Sequence, residues 1–96
     1  MFNRSTLVDF WGRYPDAEAP LRAWFVEVES AAWLGPADVR ARYGTADFVA
    51  GDRVVFNIRG NNYRLVVAAR YGPFFCVCIR FLGTHAEYDQ IDAATI

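Results

Sequence analysis

Arg53-Val54-Val55-Phe56-Asn57-Ile58-Arg59-Gly60-Asn61-Asn62-Tyr63-Arg64-Leu65-Val66-Val67 is two apolar runs around a turn. The β-branched and aromatic residues of the runs favour extended backbone. Arg59-Gly60-Asn61-Asn62 supplies residues that accept the positive φ of a hairpin turn. With a four-residue loop, Ile58 faces Tyr63 and Asn57 faces Arg64. Side chains alternate along a strand. Arg53, Asn57 and Arg64 therefore share one face, and Val54, Phe56, Ile58, Tyr63 and Leu65 share the other. One face is expected to be a core and the other to carry arginines.

Downstream, the strand runs from Tyr63 to Tyr71, Gly72-Pro73 turns the chain, and Phe74 to Leu82 forms the last strand. The length of this second loop decides where Arg80 points. A two-residue loop puts it on the core side; a three-residue loop puts it on the face of Arg64. A one-residue slip swaps every side chain. Burying an arginine without a carboxylate partner is costly, which favours the longer loop. Thr84-His85-Ala86-Glu87 then spells a capping box, opening a short helix to about Ile91. His85, the single histidine, sits at that helix's N-terminus, where backbone partial charge attracts phosphate. A histidine titrates near neutrality, and with Arg and Tyr close by it has the equipment for acid–base chemistry. The plainer alternative is that Thr84 and His85 only cap a helix.

Upstream, Gly51-Asp52 reads as a turn and Ala46 to Val49 as a short strand. Before them the period is helical. Ser5 is the expected cap of a helix to about Arg13, with Leu7, Val8, Phe10 and Trp11 as its apolar face. Tyr14-Pro15 stops it. Asp16 is the expected cap of a second helix, about Ala17 to Ala31, with Leu21, Trp24, Phe25 and Val28 as its buried stripe. Pro20 is tolerable only in its first turn. Gly35-Pro36 starts a third helix over Ala37 to Tyr43, ended by Gly44. Residues 1–4 read as a short strand or a frayed end.

The 96 residues form one domain, 1–96. A chain of this size buries only about 60–65% of its unfolded surface. Its composition, 54% hydrophobic and 17% aromatic, argues against disorder. No apolar run approaches the roughly 18 residues a membrane span needs. No basic region followed by an apolar core opens the chain, so no signal peptide is expected. Cys76 and Cys78 lie two apart on one strand face, which suits two small buried hydrophobes better than a disulfide or a metal site. A cytoplasmic setting fits.

Net charge is −1, and all ten basic residues are arginine. Arg53, Arg59, Arg64, Arg70 and Arg80 follow one another with Asp52 as the one acid beside them. A locally basic sheet on a neutral protein suits a phosphate-bearing ligand. Ordinary snorkelling surface arginines are the competing reading.

Two sets of segments carry a resemblance. Tyr14-Pro15-Asp16-Ala17, Leu21-Arg22-Ala23-Trp24, Val54-Val55-Phe56-Asn57-Ile58, Gly60-Asn61 and Tyr63-Arg64-Leu65-Val66 form the first. Ile79-Arg80-Phe81, Gly83-Thr84-His85-Ala86-Glu87-Tyr88-Asp89 and Ile91-Asp92 form the second. Together they resemble the HigB-type toxins of bacterial type II toxin–antitoxin modules, over nearly the whole chain. The Gly-Thr-His-x-Glu-Tyr-Asp segment is the most specific part. The resemblance implies an α+β, RelE-like fold: N-terminal helices on one face of an antiparallel meander, with a short C-terminal helix. It implies an mRNA interferase that arrests growth by cutting translated mRNA in the ribosomal A site. It also implies a neutralising HigA-type antitoxin with a helix-turn-helix domain. It carries over His85, Arg64, Arg80 and Tyr88 as catalytic candidates, with Asn57, Arg59 and Arg53 as RNA-binding ones. The absence of lysine is a departure from related toxins.

RNA brings its own nucleophile, the 2′-OH, so the chemistry needs proton transfer and charge stabilisation. The sequence has no paired acidic cluster for Mg²⁺, and one His with two distant Cys is a poor zinc set, so no metal or cofactor is expected. Arginine's planar fork suits a phosphorane and His85 suits one proton transfer. Tyr88 is placed to position His85, stack on a base, or donate a hydrogen bond; the general base stays open. A non-catalytic RNA- or protein-binding module of the same fold is the alternative, using the same arginines for phosphate and strand aromatics for stacking.

Overall fold

A computed structural model describes residues 4–31, 33–49, 52–60, 62–72, 75–93 and 95–96. The expectation for residues 1–3 lies outside this range, as do parts of the turns at Gly51, Asn61 and Pro73. Three helices come first: α1 (Arg4–Arg13), α2 (Glu18–Glu29) and α3 (Pro36–Arg42). Four strands follow, β1 (Asp47–Val49), β2 (Arg53–Ile58), β3 (Tyr63–Arg70) and β4 (Cys76–Thr84), and then α4 (His85–Tyr88). The strands form one antiparallel sheet in the order β1-β2-β3-β4. This is the α+β, RelE-like arrangement.

The first hairpin has the expected register, with Ile58 opposite Tyr63 and Asn57 opposite Arg64. Its turn needs left-handed backbone at Arg59 (φ +52°) and Gly60 (φ +65°). Val54, Phe56, Ile58, Tyr63, Leu65 and Val67 form the floor of the main core, and α1 and α2 close it with Leu7, Phe10, Leu21, Trp24 and Val28. Trp24 meets Phe56 edge-on at 5.5 Å, and Phe10 meets Tyr63 edge-on at 5.3 Å. Such pairs add to area burial because ring edges and faces carry opposite partial charge.

The helix starts differ from expectation in two places. The second helix opens with a single 3-10 turn, Pro15–Ala17, and α2 begins at Glu18. Asp16 caps neither; its Oδ1 accepts the Tyr63 hydroxyl at 2.5 Å, tying the turn to the sheet. The first helix begins at Arg4, one residue before its expected cap.

The arginine-bearing face differs more. It holds a second, smaller apolar cluster of Val55, Val66 and Ala93, packed by Val49, Phe81, Tyr88 and Ile96. The segment after β4 folds back over this face, so the middle of the sheet is covered on both sides. The last helix is shorter than expected, ending at Tyr88, and turns carry the chain on. The second loop is longer than either expected form, since Arg70 pairs with Cys76. The ladder is then interrupted: Val67 pairs with Ile79 but Val66 with Phe81, so Arg80 is the extra residue of a bulge.

Candidate functional site

The site is built where β3 and β4 meet α4. Gly83 lies opposite Arg64, and Thr84 opposite Tyr63. Thr84 Oγ1 accepts the Glu87 backbone N–H at 3.2 Å, and Glu87 Oε1 accepts the Thr84 N–H at 2.8 Å. This reciprocal box turns the chain sharply out of β4. The His85 N–H donates to the Asn62 carbonyl at 3.1 Å, anchoring α4 to the first hairpin.

Gly83 is needed for this approach. A Cβ there would stand 2.7 Å from Phe81 Cζ and 2.8 Å from Glu87 Oε1. The glycine of the Gly-Thr-His segment thus keeps the capping box and the Phe81 ring in place.

These constraints bring Arg64, His85 and Tyr88 together. Arg64 Nη2 is 2.9 Å from His85 Nε2, and the guanidinium carbon lies 5.0 Å from the centre of the Tyr88 ring. A guanidinium has no lone pair to offer, so Arg64 donates and His85 Nε2 accepts. The proton of a neutral imidazole is then on Nδ1, which faces Asp89 Oδ2 at 3.4 Å. Arg64 Nη1 is also 3.9 Å from Asp47 Oδ2. The Arg64 side chain is only 15% exposed and that of His85 is 40% exposed. A cation lying on a ring face, sheltered from water, is attracted by about 0.5–2 kcal/mol.

Asn57, across from Arg64, donates its amide to the Thr45 carbonyl at 3.1 Å and holds the approach to β1 beside the site. The other sequence candidates are elsewhere. Arg53 is at the far end of β2, four residues or about 13 Å along the strand from Asn57. It donates to the Ile96 carbonyl at 3.1 and 2.6 Å and pairs with Asp52. Arg59 is exposed at the hairpin tip, 3.5 Å from Asp16. Arg80 is exposed on the bulge of the edge strand and makes no hydrogen bond or ion pair among the described residues with the Arg64 group.

Two carboxylates at the site are not among the sequence candidates, although Asp89 lies within the Gly83–Asp89 segment. Asp89 carried a legible signal, lying four residues after His85 on the same helical side. Asp47 carried none, because only the pairing of β1 with β2 brings it near Arg64. Among the described residues no three metal-ligating side chains come together, and no helix is long and apolar enough to cross a membrane.

No curated protein matches the chain. A family model does match, over residues 17–91 of the 96. That span takes in α2, the whole sheet and α4. The chain belongs to the HigB toxin family, the RelE-like toxic component of a toxin–antitoxin system.

Proposed function

We propose that the chain is an mRNA interferase, a metal-independent endoribonuclease that cuts translated mRNA in the ribosomal A site. Its antitoxin is of the HigA type, with a helix-turn-helix domain. The observation that carries the reading is the 2.9 Å contact between Arg64 and His85, with Tyr88 on the same guanidinium. It joins a phosphate-gripping cation to a group able to move a proton, at the edge of a sheet.

The ribose 2′-OH attacks the adjacent phosphorus and loses its proton. The bond from phosphorus to the 5′-oxygen breaks, and that oxygen takes up a proton. The products are a 2′,3′-cyclic phosphate and a 5′-OH. His85 performs one of the two transfers, a role typically worth about 10²–10⁴-fold. Substrate phosphate replaces His85 as the partner of Arg64, whose N–H donors then meet the charge growing on the phosphorane. Tyr88 keeps Arg64 and His85 aligned. Asn57 and Arg59 contact the RNA backbone on either side of the cut. Arg80, and more peripherally Arg53, add positive charge along the strand path.

A site with so few groups gains from a substrate held by something else, which is the physical case for the ribosome. The test is end chemistry. The chain is added to translating ribosomes and the new RNA ends are mapped. The expected cuts leave 5′-OH and cyclic or hydrolysed 2′,3′-phosphate. Cuts leaving 5′-phosphate contradict the scheme.

A further inference from the structure

On the side of the molecule away from His85, α1 and α2 leave a notch of about 60 Å³, lined by Arg4, Trp11, Arg22, Phe25 and Val26. Its construction is unusual for helices that otherwise bury their apolar stripes. The Arg22 guanidinium lies 4.8 Å from the centre of the Trp11 ring. The Arg4 guanidinium lies 6.0 Å from Trp11 and 5.9 Å from Phe25. Val26 is 64% exposed beside them, and Val8 is exposed one turn along α1 from Arg4. Arg22 has Glu18 at 2.7 Å, whereas Arg4 has no ion pair among the described residues. Arg4 also stands in the first turn of α1, where the helix dipole disfavours a cation.

We infer that this notch docks the antitoxin, through a segment that places an apolar side chain against Trp11, Phe25 and Val26 and a carboxylate against Arg4. Charge complementarity argues for a protein rather than for RNA. The two helices hold Asp9, Glu18, Glu27 and Glu29 against Arg4, Arg13 and Arg22, a balance that does not attract a phosphate backbone. An arginine beside an aromatic residue with an exposed aliphatic neighbour is the composition of an interface anchor. The inference rests on the part of the proposed function that assigns an antitoxin. It is independent of the nuclease chemistry, and it leaves the Arg64–His85 group uncovered by this contact.

The probe is the product of the adjacent reading frame that co-purifies with the wild-type chain. Its affinity is measured by calorimetry for wild type, Val26→Asp, Arg4→Glu, Arg22→Glu and His85→Ala. The three substituted notch side chains, Arg4, Arg22 and Val26, are exposed, so circular dichroism of each notch variant is expected to match wild type. Tenfold or greater weakening by Val26→Asp and Arg4→Glu, with His85→Ala unchanged, is the expected result. Affinities within twofold of wild type for the notch variants overturn the inference. So does a loss of single-stranded RNA binding by those variants with antitoxin affinity intact, which would make the notch an RNA surface. A wild-type chain that binds the antitoxin through the notch yet makes no RNA cuts sinks the nuclease reading alone.

Discussion

Arg64 Nη2 stands 2.9 Å from His85 Nε2, and the hydrogen between them belongs to the arginine. Each group therefore occupies the other's working face. The lone pair that would take a proton is engaged, and so is one arm of the fork that would grip phosphate. A protonated imidazole has no lone pair to offer Arg64, so uptake of a proton by His85 and release of Arg64 go together. In the proposed reaction, substrate phosphate supplies the acceptor that Arg64 then needs.

Arg64→Ala is expected to lower cleavage by about 10²–10³-fold, the usual cost of removing one preorganised donor to a developing oxyanion. Arg64→Lys keeps the charge without the planar fork and falls between. Single-turnover cutting on stalled ribosomes measures both. Equal activity of all three chains would remove Arg64 from the reaction.

Asp89 holds His85 from behind, at an exposed position where such contacts are weak. Asp89→Ala should lower cleavage roughly 3–10-fold by loosening the imidazole, and Asp89→Asn should recover most of it by keeping an acceptor for Nδ1–H. A pH–rate profile separates orientation from mere folding. An Asn variant as poor as the Ala variant contradicts the orienting role.

Gly83→Ala should destabilise the fold by about 1–3 kcal/mol, the cost of overpacking a tight site. The added methyl meets Phe81 and Glu87, so the capping box opens and His85 shifts away from Arg64. Thermal unfolding and the cleavage assay should therefore fall together. A fully stable, fully active Gly83→Ala chain would show that the approach is not tight.

The hairpin and the capping box were legible because each is local. Asn57 opposite Arg64 follows from the loop length alone, and Thr84 with Glu87 follows from spacing. The cover over the arginine face was not legible, although it left a trace. Leu65-Val66-Val67-Ala68-Ala69 is a continuous apolar run, which is how a strand buried on both faces reads. The position of Arg80 was hidden for another reason. A bulge changes register without any change in composition: counted back from Phe81, alternation puts Arg80 on the core face, yet the side chain is exposed. Asp16 was misjudged because its partner, Tyr63, is remote in sequence.

Alkali should weaken the fold. The Tyr63 phenol is pushed above its ordinary value by its hydrogen bond to Asp16 and then by burial. Burial raises Tyr43 and Tyr71 as well. A phenol raised in the folded state contributes its full stability below the unfolded value near 10 and loses it as pH climbs through the folded value. Urea unfolding should show stability lost above about pH 10, with a shallower loss in Tyr63→Phe. Ordinary titration of Tyr43, Tyr63 and Tyr71 in the folded chain would contradict this.

The most direct measurement expresses wild type and His85→Ala from a tightly repressed promoter in a bacterium, at matched soluble levels. Growth is followed and new mRNA 5′ ends are mapped. Nuclease action centred on His85 predicts that wild type arrests growth with new in-frame cuts in translated messages, and that His85→Ala does neither. Equal arrest by both chains without new cuts would contradict it, and would make the toxicity a matter of binding.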